Sequence, residues 1–576
     1  VKTTTQRRAS GRRRARGGRV VQLRRAGRPR RARRGRPRSE ASGAVGHRRL
    51  RVALLAFAGA VLLLGGRAAY MTLGGVERLD GLEPRSAVDG ELQRRGDILS
   101  ADGRELAVSM RAVRVVATPY QVKEPGRAAE RLAGVLKPHT GQSAAELEKL
   151  LSRRGPDGGL SGYSVLATVR PDVAEEVLEL GLPGVYLEPA TSRVYPDGTL
   201  VSQLLGHVGR YGEPFGGVEA RYDDALSRGE DVRLTVDAAV QQRLQKTLAA
   251  TADRYNARSA LGLVLRADDG AIVALANHPT YDNNRFSSAP AWMQRNRVLT
   301  DPYEPGSTFK PFTLAAALEE GAVEPESTFL VPDAIRVSDR IIHDSLPHET
   351  RVMSLAEILA ESSNVGTVQV AMRLGGRALT RYIEDFGFGE PTGVDLWGED
   401  PGRVPEYREW SGSSIGNIPI GQGLTVTPLQ LAAGYAMLAN GGHRVTPHVT
   451  GVEEPGPRVI SRRTSDIVRG MLREVVESGT GHLASIPGYT VAGKTGTSQK
   501  VDPQTGTYGD EYVASFVGFA PASDPEYVVL IVVDEPQGSI WGERVAAPAF
   551  REVMSFTLSY FNVPPDRERP EEAEQR

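Results

Sequence analysis

The C-terminal half of this 576-residue chain predicts an α+β fold, an antiparallel sheet covered by helices. Three observations carry that expectation. Apolar runs at 261–265 and 271–275 flank Asp268-Asp269-Gly270, a sequence that favours a tight hairpin between antiparallel strands. Two further strand patterns, at 512–519 and 527–533, follow a third strand that begins near Val491. Between the early and late strands apolar residues recur at helical spacing, as in Leu355, Ile358 and Leu359. Strands separated by a long helical stretch build one sheet with helices packed upon it.

In chain order, residues 1–50 hold 19 Lys and Arg against one acid, Glu40, so a formal net charge of +1 conceals −17 over the rest. Rich in Gly and Pro and poor in large apolar residues, this stretch cannot build a core and is expected to be a disordered cytoplasmic tail. It has no Phe, Tyr or Trp on which bases would stack, which disfavours nucleic acid as a partner. A topology signal and a loose contact with anionic lipid suit it better. Residues 52–66 are fifteen uncharged residues, about 22 Å as helix, short of a roughly 30 Å hydrocarbon core. Continuing to Leu73 makes up the difference, with Arg67 snorkelling to the interface. The long basic region and the poor cleavage site at Arg67-Ala68-Ala69 favour an uncleaved transmembrane anchor over 51–75. The N-terminus then stays in the cytoplasm and everything from residue 76 lies outside it, in the cell membrane as a single-pass protein. There is no cysteine, which excludes disulfides, thiolate metal sites and a cysteine nucleophile.

Residues 76–230 mix strand patterns at 113–117 and 163–169 with amphipathic helical ones at 144–151 and 173–180, and hold no catalytic cluster. A second domain opens at Asp231-Val232-Arg233-Leu234-Thr235-Val236-Asp237 and runs to 561. Its helix from Ser307 has an apolar run at 312–318 that should be buried, and 545–561 should close it as an amphipathic helix. Residues 562–576 are expected to be a charged, disordered tail.

The chemistry gathers at Glu304-Pro305-Gly306-Ser307-Thr308-Phe309-Lys310-Pro311-Phe312. A Pro-Gly turn delivers Ser307 to a helix start, and Lys310 at i+3 shares its face. A serine hydroxyl is a poor nucleophile until a base takes its proton. A buried lysine, its pKa lowered toward neutrality, can be that base. The helix N-terminus adds partial positive charge where an oxyanion would form. The chain has 63 arginines and eight lysines, and Lys310 is the only lysine with serine three residues before it. Lysine remains here, where a tunable pKa would matter and arginine could not serve. Two more elements follow: Ser362-Ser363-Asn364 and Val491-Ala492-Gly493-Lys494-Thr495-Gly496-Thr497. Ser307, Ser362 and Lys494 are successively 55 and 132 positions apart.

These three elements in this order resemble those of penicillin-binding proteins and class A β-lactamases. Arg95-Gly96-Asp97-Ile98, Arg193-Val194-Tyr195-Pro196, and Leu204-Leu205-Gly206-His207-Val208-Gly209 leading to Gly217-Val218-Glu219 resemble the pedestal, or dimerisation-type, domain of class B penicillin-binding proteins. Ser100-Ala101 departs from the Asp-Arg pair common there, which puts one pedestal salt bridge in doubt. The resemblance implies a penicillin-binding transpeptidase domain over 231–561, preceded by a mixed pedestal over 76–230 and one transmembrane helix. It implies that Ser307 attacks the penultimate D-alanine of a peptidoglycan stem peptide, that Lys310 takes its proton, and that Ser362 and Lys494 pass a proton to the leaving amine. Asn364 would hold a substrate amide, Thr495 and Thr497 the substrate carboxylate beside Gly496, and the Ser307 and Thr497 N–H groups the oxyanion.

The implied function is a membrane-anchored D,D-transpeptidase of septal cell-wall synthesis, acylated by β-lactams, with a polytopic glycosyltransferase and other divisome membrane proteins as partners. An elongation-type transpeptidase, a β-lactamase or β-lactam sensor, and a non-catalytic scaffold are the alternatives. The pedestal disfavours a lactamase, and the intact serine, lysine and asparagine set disfavours a scaffold. No cofactor is expected. His343, Asp344, His348 and Glu349 suggest a metal, but their spacing fits no zinc pattern and a loop near the site is the expectation. Gly421-Gln422-Gly423 lacks the Gly-Lys-Ser/Thr ending of a phosphate loop; in the family this segment walls the site, with a helix from Pro428.

Overall fold

The computed structural model describes residues 94–567 apart from 157, 210–211 and 503–504. The expected cytoplasmic tail and anchor lie outside these residues. Among the described residues no helix is long and apolar enough to cross a membrane.

The spine of the first domain is a 13-residue strand, Glu105–Ala117. It pairs antiparallel with Ser164–Val169 and with Val185–Val194. Alternation along the spine delivers Val115 and Ala117 to a core with Leu166 and with Leu132, Leu147 and Val173. Those three come from the helices Pro125–Thr140, Ala144–Leu151 and Pro171–Glu179. Neither Pro125–Thr140 nor Val185–Val194 is visible in the sequence patterns. The strand carries Pro189, which removes a ladder donor and is tolerated because Val185–Val194 is bonded to the spine alone.

The three patterns singled out in this domain converge on one buried carboxylate. Glu219 is 0% exposed and accepts from Arg95 Nε at 2.8 Å, Arg193 Nε at 2.6 Å and Tyr195 Oη at 3.1 Å. Arg95 also pairs with Asp223. Tyr195 in turn exchanges backbone bonds with the Asn284 side chain at 3.0 and 2.8 Å, which carries the network into the second domain. Ser100, at the departure noted above, is fully buried, and its hydroxyl accepts from the Arg104 N–H at 2.9 Å to close the turn before the spine. Ile98–Leu99 runs antiparallel to the start of the spine and parallel to Val232–Arg233.

The second domain is built on a five-stranded antiparallel sheet in the order Ala492–Val501, Tyr508–Ala520, Tyr527–Asp534, Ser259–Arg266, Ile272–His278. The expected α+β layout and the hairpin around Asp268-Asp269-Gly270 are both present. Tyr527–Asp534 is buried throughout because both faces are covered. Val529, Ile531 and Phe516 face Leu244, Leu248, Phe550 and Met554 of the helices Ala238–Arg254 and Ala547–Tyr560. Leu530, Val532 and Leu263 face the other core, with Phe312, Leu429 and Tyr435. That second layer includes the helices Lys310–Glu319, Asn364–Leu374, Pro428–Ala439 and Arg462–Glu477. Beyond Tyr560 the first residues of the expected disordered tail are held in place: Tyr489 Oη donates to the Val563 carbonyl at 2.7 Å, and the Thr490 N–H donates to Asp566 Oδ1 at 2.6 Å. A carboxylate placed to satisfy a backbone donor at a strand start fixes residues that composition alone marks as loose.

Candidate active site

The sequence expects a regular helix from Ser307; the structure puts Ser307 in a 3₁₀ turn, Gly306–Phe309, and starts the α-helix at Lys310. Pro311 is the reason. It has no N–H to offer the carbonyl four residues back, that of Ser307, and its ring would clash there. The Lys310 N–H takes the Ser307 carbonyl instead. Residues i and i+3 eclipse in a 3₁₀ turn, so Ser307 and Lys310 stack on one side. Gly306 has φ +56°, and a Cβ on it would lie 2.4 Å from Ser498 Oγ, so glycine is required on both counts. The turn is pinned by Gly306 N–H to the Gly421 carbonyl at 3.0 Å and by Tyr435 Oη to the Thr308 carbonyl at 2.8 Å. The Gly421 segment is thus a wall against the Ser307 turn.

Lys310 is 0% exposed. Its ammonium donates to the Ser362 carbonyl, to Ser362 Oγ at 3.2 Å and to Asn364 Oδ1 at 2.7 Å. Burial pushes its pKa down to about 7, and the negative charge of Asp344 opposes that fall. Lys494 is also 0% exposed; its Nζ lies 3.2 Å from Thr495 Oγ1 and 3.3 Å from the Thr495 carbonyl. Burial, joined by repulsion from Lys310, holds it well below the ordinary lysine range. For Lys310 burial is the leading cause, and the repulsion between the two amines is felt at Lys494. Ser307, Ser362, Asn364 and Thr497 are all partly exposed. Hydroxyls and an amide therefore reach solvent, while both amines are buried.

Ser362 has φ +61°, a left-handed conformation that costs a non-glycine residue about 1–3 kcal/mol. It ends one helix, Leu355–Ala360, and turns the Ser362 carbonyl onto Lys310. The following residue holds it there: the Ser363 N–H donates to the Ile358 carbonyl at 2.8 Å, and its Oγ caps the next helix at the Gly366 N–H, 2.9 Å away.

Lys494, Thr495, Gly496 and Thr497 lie on Ala492–Val501, an edge strand whose inner register pairs Lys494 with Val517 and Thr497 with Ala514. A Cβ at Gly496 would lie 2.3 Å from Ser515 Oγ and 2.9 Å from Thr308 Cγ2, so this strand packs directly on the Ser307 turn. Thr497 Oγ1 accepts from the Gly542 N–H at 3.2 Å.

Sequence reasoning gave no role to Glu304. Its carboxylate accepts from the Gly423 N–H and from Tyr508 Oη, both at 2.9 Å, and clasps the Ser307 segment to the glycine wall and to the strand Tyr508–Ala520. Thr480, whose Oγ1 is 3.1 Å from Thr495 Oγ1, sits in a segment with no motif and was not found. The His343–Glu349 segment does lie at the site: Asn364 Nδ2 donates to the His343 carbonyl at 2.8 Å, and His348 Nε2 is 3.0 Å from Asp344 Oδ2.

Two family models match the chain. The penicillin binding protein transpeptidase domain covers residues 260–555 and the penicillin-binding protein dimerisation domain covers residues 91–232. Penicillin-binding protein PbpB of Mycolicibacterium smegmatis is 35% identical over 447 residues, 69% of this chain and 69% of that protein. Peptidoglycan D,D-transpeptidase FtsI of Escherichia coli K12 is 31% identical over 507 residues, 82% of this chain and 84% of that protein. The crystal structure of penicillin-binding protein 3 from Mycobacterium tuberculosis, complexed with aztreonam, is 28% identical with a TM-score of 0.65, covering 82% of this chain and 97% of that one. With the serine, the two buried lysines and the pedestal network arranged as described, the chain belongs to the penicillin-binding transpeptidases of the FtsI and penicillin-binding protein 3 type.

Proposed function

We propose that the chain cross-links peptidoglycan stem peptides through an acyl-enzyme on Ser307. The observation that carries this reading is Lys310: a buried amine with a pKa near 7, one backbone turn on from Ser307 and bonded to Ser362 and Asn364. Neutral Lys310 takes the Ser307 proton as Oγ attacks the carbonyl carbon of the penultimate D-alanine. The oxyanion is held by the N–H groups of Ser307 and Thr497. The C–N bond breaks as a proton reaches the departing D-alanine amine by way of Ser362 and Lys494. An amine of a neighbouring stem peptide then attacks the ester, gives up its proton through the same groups, and releases Ser307. Thr495 and Thr497 receive the substrate carboxylate, whose charge favours protonated Lys494 and so offsets its burial. β-Lactams present the same carbonyl and acylate the same serine.

The relatives named FtsI and the basic tail before an apolar run support a septal role and a single-pass anchor over 51–75, with divisome membrane proteins, among them a polytopic glycosyltransferase, as partners. The full chain should label with a fluorescent penicillin and Ser307→Ala should not; labelling that survives in Ser307→Ala identifies a different nucleophile. A fluorescent fusion that decorates the lateral wall instead of the septum would overturn the division role.

A further inference from the structure

Asp344 takes no part in the steps above, yet its carboxylate is the most heavily bonded group beside them. Its side chain is 7% exposed. Oδ2 accepts from Ser363 Oγ at 2.7 Å and is 3.0 Å from His348 Nε2; Oδ1 accepts from the Val365 N–H at 2.9 Å. Both acceptors thus engage the start of the helix Asn364–Leu374, where the exposed N–H groups and the macrodipole favour a negative charge. Ser363 lies between Ser362 and Asn364, the two residues that hold the Lys310 ammonium. The His343 carbonyl on the same loop takes the other end of the Asn364 amide, Nδ2, at 2.8 Å, so Oδ1 faces Lys310.

We propose that Asp344 is a positioning residue for acyl transfer: its carboxylate fixes Ser363 and the first turn of Asn364–Leu374, and through them the strained Ser362 carbonyl and the Asn364 amide that hold Lys310 in place. A left-handed serine persists only where its surroundings over-determine it, and this carboxylate supplies part of that constraint. The same charge acts on Lys310 through space, favouring the ammonium against burial. The other charged groups around the pair include Lys494, which faces Lys310 from the edge strand, His348 beside Asp344, Arg351 beside His348 and paired in turn with Glu361, and Asp333, which accepts from the His348 N–H at 3.3 Å. The inference rests on the reading that Lys310 is the base.

The test is the rate of acylation of the full chain by a fluorescent penicillin between pH 5 and 9. Asp344→Asn keeps the size and one acceptor but removes the charge. It should lower the high-pH plateau by about tenfold, the weight of a charge-assisted hydrogen bond, and shift the acid limb to lower pH, because Lys310 then loses a group that favours its protonated form. Ser363→Ala removes the Oγ link and leaves the charge, so it should lower the plateau without moving the limb. An Asp344→Asn profile that superimposes on the wild type overturns the proposal. So does a limb that vanishes in His348→Gln while staying unmoved in Asp344→Asn, since the titration would then belong to the imidazole. Should Asp344→Asn fail to fold, Ser363→Ala decides, an unchanged plateau being the refutation. Absence of labelling in the wild type would refute the transpeptidase reading itself; a labelled wild type with an indifferent Asp344→Asn refutes this inference alone.

Discussion

Lys310→Met should abolish acylation and make the folded protein more stable at acid and neutral pH. The folded pKa of Lys310 is about 7, against about 10.4 for an unfolded lysine. Between those values the unfolded chain binds more protons, so stability rises with pH across the interval, and the full cost of the buried amine is present below pH 7. That difference of about 3.4 pKa units amounts to a ceiling on the order of 5 kcal/mol. Against this, methionine forfeits the bonds to the Ser362 carbonyl, to Ser362 Oγ and to Asn364 Oδ1. Ser362 and Asn364 are partly exposed, so water takes over, at about 1 kcal/mol per bond. The net gain should be on the order of 2 kcal/mol at pH 6 and should fall to about zero or below by pH 10. Urea unfolding followed by tryptophan fluorescence at the two pH values measures it. Were Lys310→Met no more stable than the wild type at pH 6, with the same difference at pH 10, burial would not be what depresses this amine, and the assignment of Lys310 as a base poised near neutrality would fall with it.

Wild-type acylation should decline about tenfold per pH unit below 7 as Lys310 becomes protonated; a rate constant flat from pH 5 to 8 contradicts that. Lys310→Arg, unable to deprotonate, should acylate more slowly than Lys494→Arg, which should lose about one to two orders of magnitude, on the order of 1–3 kcal/mol in the barrier. The reverse ranking would make Lys310 an electrostatic prop. Glu219→Ala leaves the buried Arg193 without a carboxylate and Arg95 with Asp223 alone and should cost on the order of 3–5 kcal/mol of stability, read as a fall in Tm; a loss under 1 kcal/mol would mean water replaces the carboxylate. Phe550→Ala, at 0% exposure between the sheet and the closing helix, should cost about 3–5 kcal/mol by cavity formation.

The central sheet was legible because its strands are covered on both faces, which writes unbroken apolar runs such as Val528–Val533 into the sequence. Ser307, Lys310 and the two elements gathered around them stood out as candidates because acyl transfer restricts which residue types can serve. What escaped the sequence has local physical reasons. Pro311 displaces the α-helix start by one turn, a clash between groups four residues apart that periodicity does not register. Pro189 hides an edge strand. Glu304 and Thr480 act by accepting or sharing a hydrogen bond across segments far apart in the chain. Asp344 and His348 have the look of metal ligands in sequence, because nothing in spacing reveals that the carboxylate is already satisfied by a helix start.

The parallel pairing of Ile98–Leu99 with Val232–Arg233 has a mechanical meaning. Residue 232 follows residue 98 by 134 positions, yet the two are direct neighbours across a strand pair, reinforced by Asp97 N–H to Asp231 Oδ1 at 2.7 Å and Ala101 N–H to the Val236 carbonyl at 2.8 Å. The intervening chain is a side arm closed at its base, not a spacer in series. A pull on the chain at residue 94 would therefore load these hydrogen bonds in shear and pass straight to the start of the transpeptidase body, bypassing the arm. A partner gripping the far helices of the arm would act instead as on a lever, its torque arriving at the Glu219 hub and at Asn284, some twenty residues ahead of the nucleophile.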